Sequence, residues 1–355
     1  MVTVGAFGAS DGADVGKFSV RAADHTLNDI DPLAQQIWDL VARSPLHDMW
    51  DFQGVSAKLV WTRTFRAILG DDLLSRAAEM GYYFLFALFP TLISASSILG
   101  LAARHASNIF DRLLHYLALV VPGGAYSMVI DTFNQTAAAA TTGKITIGLV
   151  AALWSASVGF ASIQDGMNTV YKVRESRPYW MARGQAILVT VLLSVMVTAN
   201  LAVLLGGDLV AKLMYVKIWH HGLAVGSATV IHVVQWLLAS ALLLLQFSTI
   251  YYFAPDLKVK CWHWMTPGAV IGIFGWVVCS LGLRIYLHFF NSFSITYGSL
   301  GGVIILLTWF YITGLMLLLG AEVNSEIQAA VVEKRLKDSG AIPQHVEAEP
   351  KAVAG

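Results

Sequence analysis

The chain has 355 residues, of which 56% are hydrophobic and only 13% are charged, and its formal net charge is zero. A soluble domain carries about 25% charged residues, so this composition excludes an ordinary soluble protein and indicates an integral membrane protein. The balanced charge offers no basic surface for nucleic acid. The two cysteines, Cys261 and Cys279, form neither a disulfide framework nor a metal motif.

The first 70 residues contain no span and no signal-peptide core. Residues 1–25 are predicted to be a disordered tail, and residues 26–70 are predicted to hold cytoplasmic amphipathic helices. Residues 27–42 place four apolar side chains on one helical face, namely Leu33, Ile37, Leu40 and Val41. Residues 56–69 mix apolar side chains with Lys58, Arg63 and Arg66. This second helix either lies on an anionic membrane surface or packs on the cytoplasmic ends of the bundle.

Six apolar segments are long enough to cross a bilayer, which takes about 20 residues. They lie at 77–103, 145–168, 185–206, 226–253, 266–290 and 300–322. Between the first two, residues 105–136 hold shorter apolar pieces broken at Pro122, and we expect two short helices on or dipping into the outer face. The sequence therefore predicts an all-α, polytopic membrane protein with a six-helix transmembrane domain at 71–335 and a disordered tail at 336–355.

The distribution of Lys and Arg predicts the orientation. Seventeen of these residues fall before the first span, in the loops after the second and fourth spans, and in the C-terminal tail, whereas five fall on the opposite side. Both termini are therefore expected in the cytoplasm, as an even number of spans requires.

Four stretches of the sequence are typical of one family. They are DDLLSRAAEMGYYFLFALFPTL at 71–92, LWSASVGFASIQDGMNTVYKVRESRPYW at 153–180, YYFAPDLKVKCWHWMTPGAVIG at 251–272 and TYGSLGGVIILLTWFYITGLMLLLGAEVNSEI at 296–327. Over residues 55–335 the chain resembles the YihY family, also called the virulence factor BrkB family, whose members are bacterial inner-membrane proteins, some once labelled ribonuclease BN. The resemblance implies a six-helix fold, the inner membrane and a link to lipid or lipopolysaccharide export, but little chemistry. Glu79 departs from the small apolar residue expected there.

Polar side chains inside the apolar segments are candidates for a substrate path. They are Arg284, Glu79, Gln164, Asp165, His232, Gln235 and Asn291. Most of them have a structural alternative: Glu79 can pair with Arg76, the helix can leave the bilayer at Gln164, Arg284 can snorkel to the outer interface, and His232 with Gln235 can join two helices. Pro90 is expected to kink the first span.

The last span ends on polar residues while still in helical register. After Gly320 it reaches Glu322 and Asn324, where basic loops are expected to gather. Arg174, Arg177 or Lys258 could pair with Glu322 and form a cytoplasmic lock. This lock is either structural or part of a gate.

Two functions of different classes remain. The first is a transporter or lipid-translocating protein for an amphipathic anionic substrate of the cell envelope, and the second is a structural or assembly factor without its own substrate. A ribonuclease is disfavoured, because the ten histidines are scattered and no His-x-His-x-Asp-His signature occurs. We predict no enzyme activity, catalytic residue, metal, cofactor or nucleic-acid partner; membrane lipids and a second copy of the chain are the expected partners.

Overall fold

The computed structural model describes residues 32–43, 46, 49–102, 130–131, 142–217, 221–289 and 299–342. Within these ranges the chain is all α-helical and contains no strand, which confirms the predicted fold class. Asn291, nearly all of 105–136, the predicted tail at 1–25 and residues 343–355 lie outside the described residues.

Eight helices occur in the described part of the chain. They are α1 Pro32–Arg43, α2 Ala57–Gly70, α3 Leu73–Ala102, α4 Thr142–Val170, α5 Tyr179–Lys217, α6 His221–Phe253, α7 Pro267–Phe289 and α8 Ser299–Asp338. Each of the six long helices, α3 to α8, contains one of the six predicted apolar segments almost entirely. The amphipathic stretches at 27–42 and 56–69 correspond to α1 and α2.

Four of the long helices are apolar enough, over their described residues, to cross a membrane. These segments are Tyr179–Leu204, Thr229–Phe253, Pro267–Phe289 and Leu300–Asp338. Helices α3 and α4 have 30 and 29 residues, which is longer than the roughly 20 residues that a bilayer requires. The number of six spans stays a prediction.

Helix α8 is the centre of the bundle. It packs against α1, α2, α3, α4 and α7, while α5 packs against α4 and α6. Every residue from 321 to 333 of α8 is buried. This second part of α8 is covered on all sides by other elements, so its polar residues lie inside the bundle. The first part of the same helix is apolar, and the helix continues from one part to the other without a break.

Two glycines let α7 and α8 touch through their backbones. A Cβ atom at Gly268 would collide with the Gly320 carbonyl, and one at Gly320 would collide with Gly268 and the Tyr251 hydroxyl. Next to this crossing, the Asn324 side chain accepts a hydrogen bond from the Gly268 N–H at 2.8 Å and donates one to the Thr266 hydroxyl at 3.0 Å. Asn324 therefore caps the otherwise unsatisfied N-terminus of α7.

The two short helices pack at the end of the bundle where α8 is polar. Helix α1 buries Ile37 and Val41, and α2 buries Val60, Thr64 and Ala67. A sharp turn joins α2 to α3, because Asp72 has φ 51°. One face of α2 thus packs on the bundle. Packing on the end of the bundle was one of the two alternatives predicted for this helix.

Candidate functional site

A cavity of about 730 Å³ lies between α3 and α4. Apolar and aromatic side chains form most of its lining, which consists of Tyr82, Tyr83, Phe86, Pro90, Val150, Ala151, Trp154, Ser155 and Val158. We call it the α3–α4 groove. The two helices run antiparallel there, since Met80 lies against Gly166 and Phe84 against Gly159.

Pro90 lies on the α3 side of the groove. A proline inside a helix cannot donate to the carbonyl four residues earlier, which here belongs to Phe86. The Ser155 hydroxyl of α4 donates to that carbonyl at 3.5 Å. Pro90, Phe86 and Ser155 all line the cavity, so the proline predicted to kink this helix lies at the groove.

Charged side chains of α3 and α4 lie near the α3–α4 groove, among residues that do not line it. Arg76 and Glu79 form an i,i+3 ion pair at 3.6 Å, and Asp165 of α4 interacts electrostatically with both. Glu79 lies about one helical turn from Tyr82, and Asp165 lies two turns from Val158, on the side of the α1–α2 end of the bundle. The ion pair expected for Glu79 is therefore formed, and Glu79 and Asp165, both predicted as path residues, come together about one to two helical turns from the residues that line the cavity.

Arg183 of α5 lies over one wall of the groove. Its guanidinium carbon is 4.3 Å from the centroid of the Trp154 ring, and its Nη2 donates to the Trp154 carbonyl at 3.2 Å. Its Nε is buried and has no hydrogen-bond partner. A cationic side chain thus packs against Trp154, a residue of the cavity wall, whereas the sequence pattern indicates only a loop charge at Arg183.

Arg177 belongs to a polar network that joins α4, α5 and α6. Its guanidinium donates to Glu175 at 2.5 and 2.6 Å and to Gln185 at 2.5 Å, and it lies 3.5 Å from Asp256. Asn168 at the end of α4 contacts both acids, donating to Glu175 at 3.0 Å and accepting from the Asp256 N–H at 2.8 Å.

The two acids of this network are held in their charged form. Burial raises the pKa of Glu175, but hydrogen bonds from Arg177 and Asn168 outweigh it, so its pKa is lowered. Burial also raises the pKa of Asp256, and hydrogen bonds from Ser176 together with the Arg177 charge lower it below its ordinary value. Opposite charges and hydrogen bonds therefore hold the α4–α5 link against the segment that follows α6.

This arrangement corrects the predicted pairing of Glu322 with Arg177. Glu322 is fully buried, and neither of its carboxylate oxygens accepts a hydrogen bond. Its electrostatic neighbours include Lys172, which forms an ion pair with Asp71. Arg177 pairs instead with Glu175 in its own α4–α5 link and with Asp256 in the link after α6. Arg174 is exposed, whereas Glu322 is fully buried.

The other predicted path residues lie elsewhere. His232 and Gln235 of α6 are 3.2 Å apart, and Gln235 also donates to the Leu204 carbonyl of α5 at 2.6 Å, which is the helix–helix contact that was the structural alternative. His232 lines a second cavity of about 400 Å³. Arg284 is half-buried on α7 and does not line the groove. Gln164 is buried, and its Nε2 has no hydrogen-bond partner.

Among the residues that the structure describes, no group of three or more His, Cys, Asp or Glu side chains is placed to hold a metal ion. The polar groups described above are arranged instead as ion pairs, hydrogen-bond networks and a helix cap.

A bundle of long apolar helices with a lateral groove and a polar end is the architecture of a polytopic membrane protein. The sequence profile of the family Virulence factor BrkB matches residues 64–343, and the chain belongs to that family.

Named relatives agree with this assignment. A Bacillus subtilis protein named as ribonuclease-like, YfkH, is 31% identical over 273 residues, which cover 76% of this chain and 94% of the relative. A UPF0761 membrane protein of Tolumonas auensis is 25% identical over 268 residues, or 74% and 83% of the two chains. One of Xanthomonas oryzae pv. oryzae is 29% identical over 275 residues, but these cover only 60% of the relative. No solved structure matches the chain.

Proposed function

We propose that this protein binds and translocates an amphipathic anionic molecule of the cell envelope, a phospholipid in the simplest case, and that the α3–α4 groove receives it. The observation that carries the proposal is a cavity of about 730 Å³ with a mostly apolar lining and an arginine that stacks on Trp154 of its wall. Its size falls within the range of about 300–1,000 Å³ that is usual for sites holding small organic ligands.

The two parts of a phospholipid match two parts of the groove. Acyl chains suit the aromatic and aliphatic walls formed by Phe86, Val150 and Trp154. A phosphate suits Arg183, because a guanidinium presents planar donors to phosphate oxygens and this one stacks on Trp154 of the groove wall. Arg284 of α7 stays a second candidate for a phosphate contact, at a separate place.

The same features disfavour the alternatives. RNA is a polyanion, and a mostly apolar groove between two helices does not offer the basic surface that binds it. The ribonuclease-like name of the Bacillus relative is therefore not carried over to this chain. An assembly factor without a substrate does not require a cavity, and it is the function that remains if lipid binding fails. We further propose that the protein resides in the bacterial inner membrane with both termini in the cytoplasm, as the distribution of Lys and Arg favours.

The proposal is tested with purified protein in vesicles that contain a fluorescent phospholipid. Scrambling is measured by the fraction of fluorophore that a reductant outside the vesicle bleaches, and bound lipid is measured by native mass spectrometry. Ala151→Trp should fill the groove and lower both signals, whereas Leu188→Trp, on an outward position of α5 that is 61% exposed, is the matched control and should leave them unchanged.

The role of the arginines is tested in the same assay. Losing a charge-assisted hydrogen bond should weaken lipid binding about tenfold, so binding should fall in the order Arg, Lys, Ala at position 183. The same series at position 284 tests the second candidate. Wild-type protein that neither binds nor scrambles lipid would reject the function, and equal values for wild type and Ala151→Trp would reject the groove.

A further inference from the structure

Helix α2 has two faces that differ in their surroundings. Val60, Thr64 and Ala67 are 1–6% exposed and pack on the bundle. On another side, Trp61, Phe65 and Leu69 are 56%, 63% and 66% exposed. These three residues recur every four positions, so they form one continuous apolar stripe along the helix. We call it the outer stripe of α2.

The outer stripe needs an apolar neighbour that the described chain does not supply. Helix α2 has only 14 residues, which is too short to span a bilayer. Its two-residue link to α3, with the sharp turn at Asp72, keeps it at the end of the first long helix. A short helix in that position can lie in the membrane–water interface while α3 enters the bilayer.

The charged residues of α2 indicate which partner can cover the outer stripe. The helix contains Lys58, Arg63 and Arg66 and no acidic residue. Arg63 donates to Glu333 of α8 at 2.7 Å and ties α2 to the bundle. Lys58 and Arg66 are exposed beside the outer stripe. A second copy docked through this stripe would bring like charges together, whereas anionic headgroups would meet them with opposite charge.

We propose that the outer stripe of α2 is an interfacial docking surface for anionic lipid. The aromatic and aliphatic side chains insert at the headgroup boundary, and the bases beside them contact lipid phosphates. A basic helix with Trp, Phe and Leu on one side is the kind of helix that binds bilayer surfaces. The surface is separate from the α3–α4 groove and does not depend on translocation.

The test measures the depth of two positions of α2 in the full-length protein. Single cysteines replace Phe65, on the outer stripe, and Gly70, an exposed position on another side of α2 where an added Cβ meets no atom within 4 Å. The background carries Cys261→Ser and Cys279→Ala, and each variant must melt like the parent. Spin labels on these cysteines are probed in nanodiscs with oxygen, which enters lipid, and with a neutral nickel complex, which stays in water.

The expected result is that oxygen dominates at position 65 and the nickel complex dominates at position 70. The label at 65 should become more accessible to nickel when phosphatidylglycerol is replaced by phosphatidylcholine, or when Lys58→Gln and Arg66→Gln are combined. Equal accessibility at 65 and 70 would overturn the proposal, and so would indifference to anionic lipid. Spin–spin broadening at 65 that vanishes on dilution with unlabelled protein would also overturn it, since a second copy would then cover the stripe.

Discussion

Glu322 and Glu333 lie on the same helix and are both buried, but their surroundings differ. Glu333 is 4% exposed and is bound by Arg63 and Lys337, each at 2.7 Å, whereas Glu322 is fully buried and accepts no hydrogen bond. Glu333→Gln should lower the free energy of unfolding by about 2 kcal/mol, because two cations lose their charged partner. Thermal melting in detergent measures the effect.

Glu322→Gln should behave differently. A buried carboxylate without hydrogen bonds is costly, and a neutral amide of the same shape removes that cost. We therefore expect stability within about 1 kcal/mol of wild type, or above it. Glu333→Gln is the matched control on the same helix. A marked loss of stability in Glu322→Gln would show that its charge is needed, with Lys172 as the partner to examine next.

The network around Arg177 should make stability depend on pH. The pKa values of Glu175 and Asp256 are lowered in the folded protein, so both acids contribute stability above the ordinary range of carboxyl groups. That contribution is lost as the pH falls through their lowered folded-state values. Melting of the wild type should therefore decline on acidification, and Arg177→Gln should lower stability at pH 7 and flatten the decline.

The control for this network is an arginine in an exposed pair. Arg43 lies 3.5 Å from Asp39 in α1, with both side chains more than half exposed. Such pairs contribute between about 0 and 1 kcal/mol, so Arg43→Gln should leave both the melting temperature and its pH profile close to wild type. Equal effects of Arg177→Gln and Arg43→Gln would contradict a structural role for the network.

At the scale of the element, the α7–α8 crossing sets how closely two long helices approach. Gly268→Ala should destabilise the protein by about 1–3 kcal/mol, because its new methyl group meets the Gly320 carbonyl and the side chain of Asn324, which caps α7. Gly282→Ala, on the same helix with no atom within 4 Å of its Cβ, should be neutral or stabilising by up to about 1 kcal/mol. Thermal melting of the two variants and of the wild type measures these effects. Equal effects of the two substitutions would contradict the close crossing of α7 and α8.

The elements themselves could be predicted well from the sequence, and their partners could not. The length of an apolar run predicts a helix, so segments such as 266–290 closely match α7 at Pro267–Phe289. The helices extend furthest beyond the apolar runs where buried polar residues continue them, as in α8 after Gly320. The helical register of those residues predicts the extension itself, but it does not predict that the surrounding helices bury every residue from 321 to 333.

The candidate site shows the same division. Glu79, Asp165 and Pro90 could be selected from the sequence, because a charged residue or a proline in an apolar run is unusual. Arg183 and Asp256 could not, since each looks like an ordinary loop charge until the fold places it against Trp154 or Arg177. Asp256 is about 80 residues from Ser176, which donates to it, and no local pattern encodes such a pair.

At the scale of the whole molecule, the packing bears on the arrangement of the termini. Helices α1 and α2 pack beside the last part of α8, through contacts such as Arg63 with Glu333 and Lys334 with the Gln53 carbonyl. The first and last described helices therefore meet at one end of the bundle. An even number of crossings is the simplest path that brings the chain back to that end.

We expect that end to face the cytoplasm, because seventeen of the Lys and Arg residues fall on its side of the predicted topology and five on the other. A fluorescent reporter that folds only in the cytoplasm should be bright when fused after Gly355 and dark when fused after Lys217, at the end of α5. Alkaline phosphatase, which is active only outside, should give the reciprocal pattern at the same two positions and controls for expression. An active phosphatase after Gly355 would contradict the orientation. Three helices, α6, α7 and α8, lie between the two fusion positions, and three crossings place those positions on opposite sides of the membrane. Equal signals at both positions would therefore contradict three crossings.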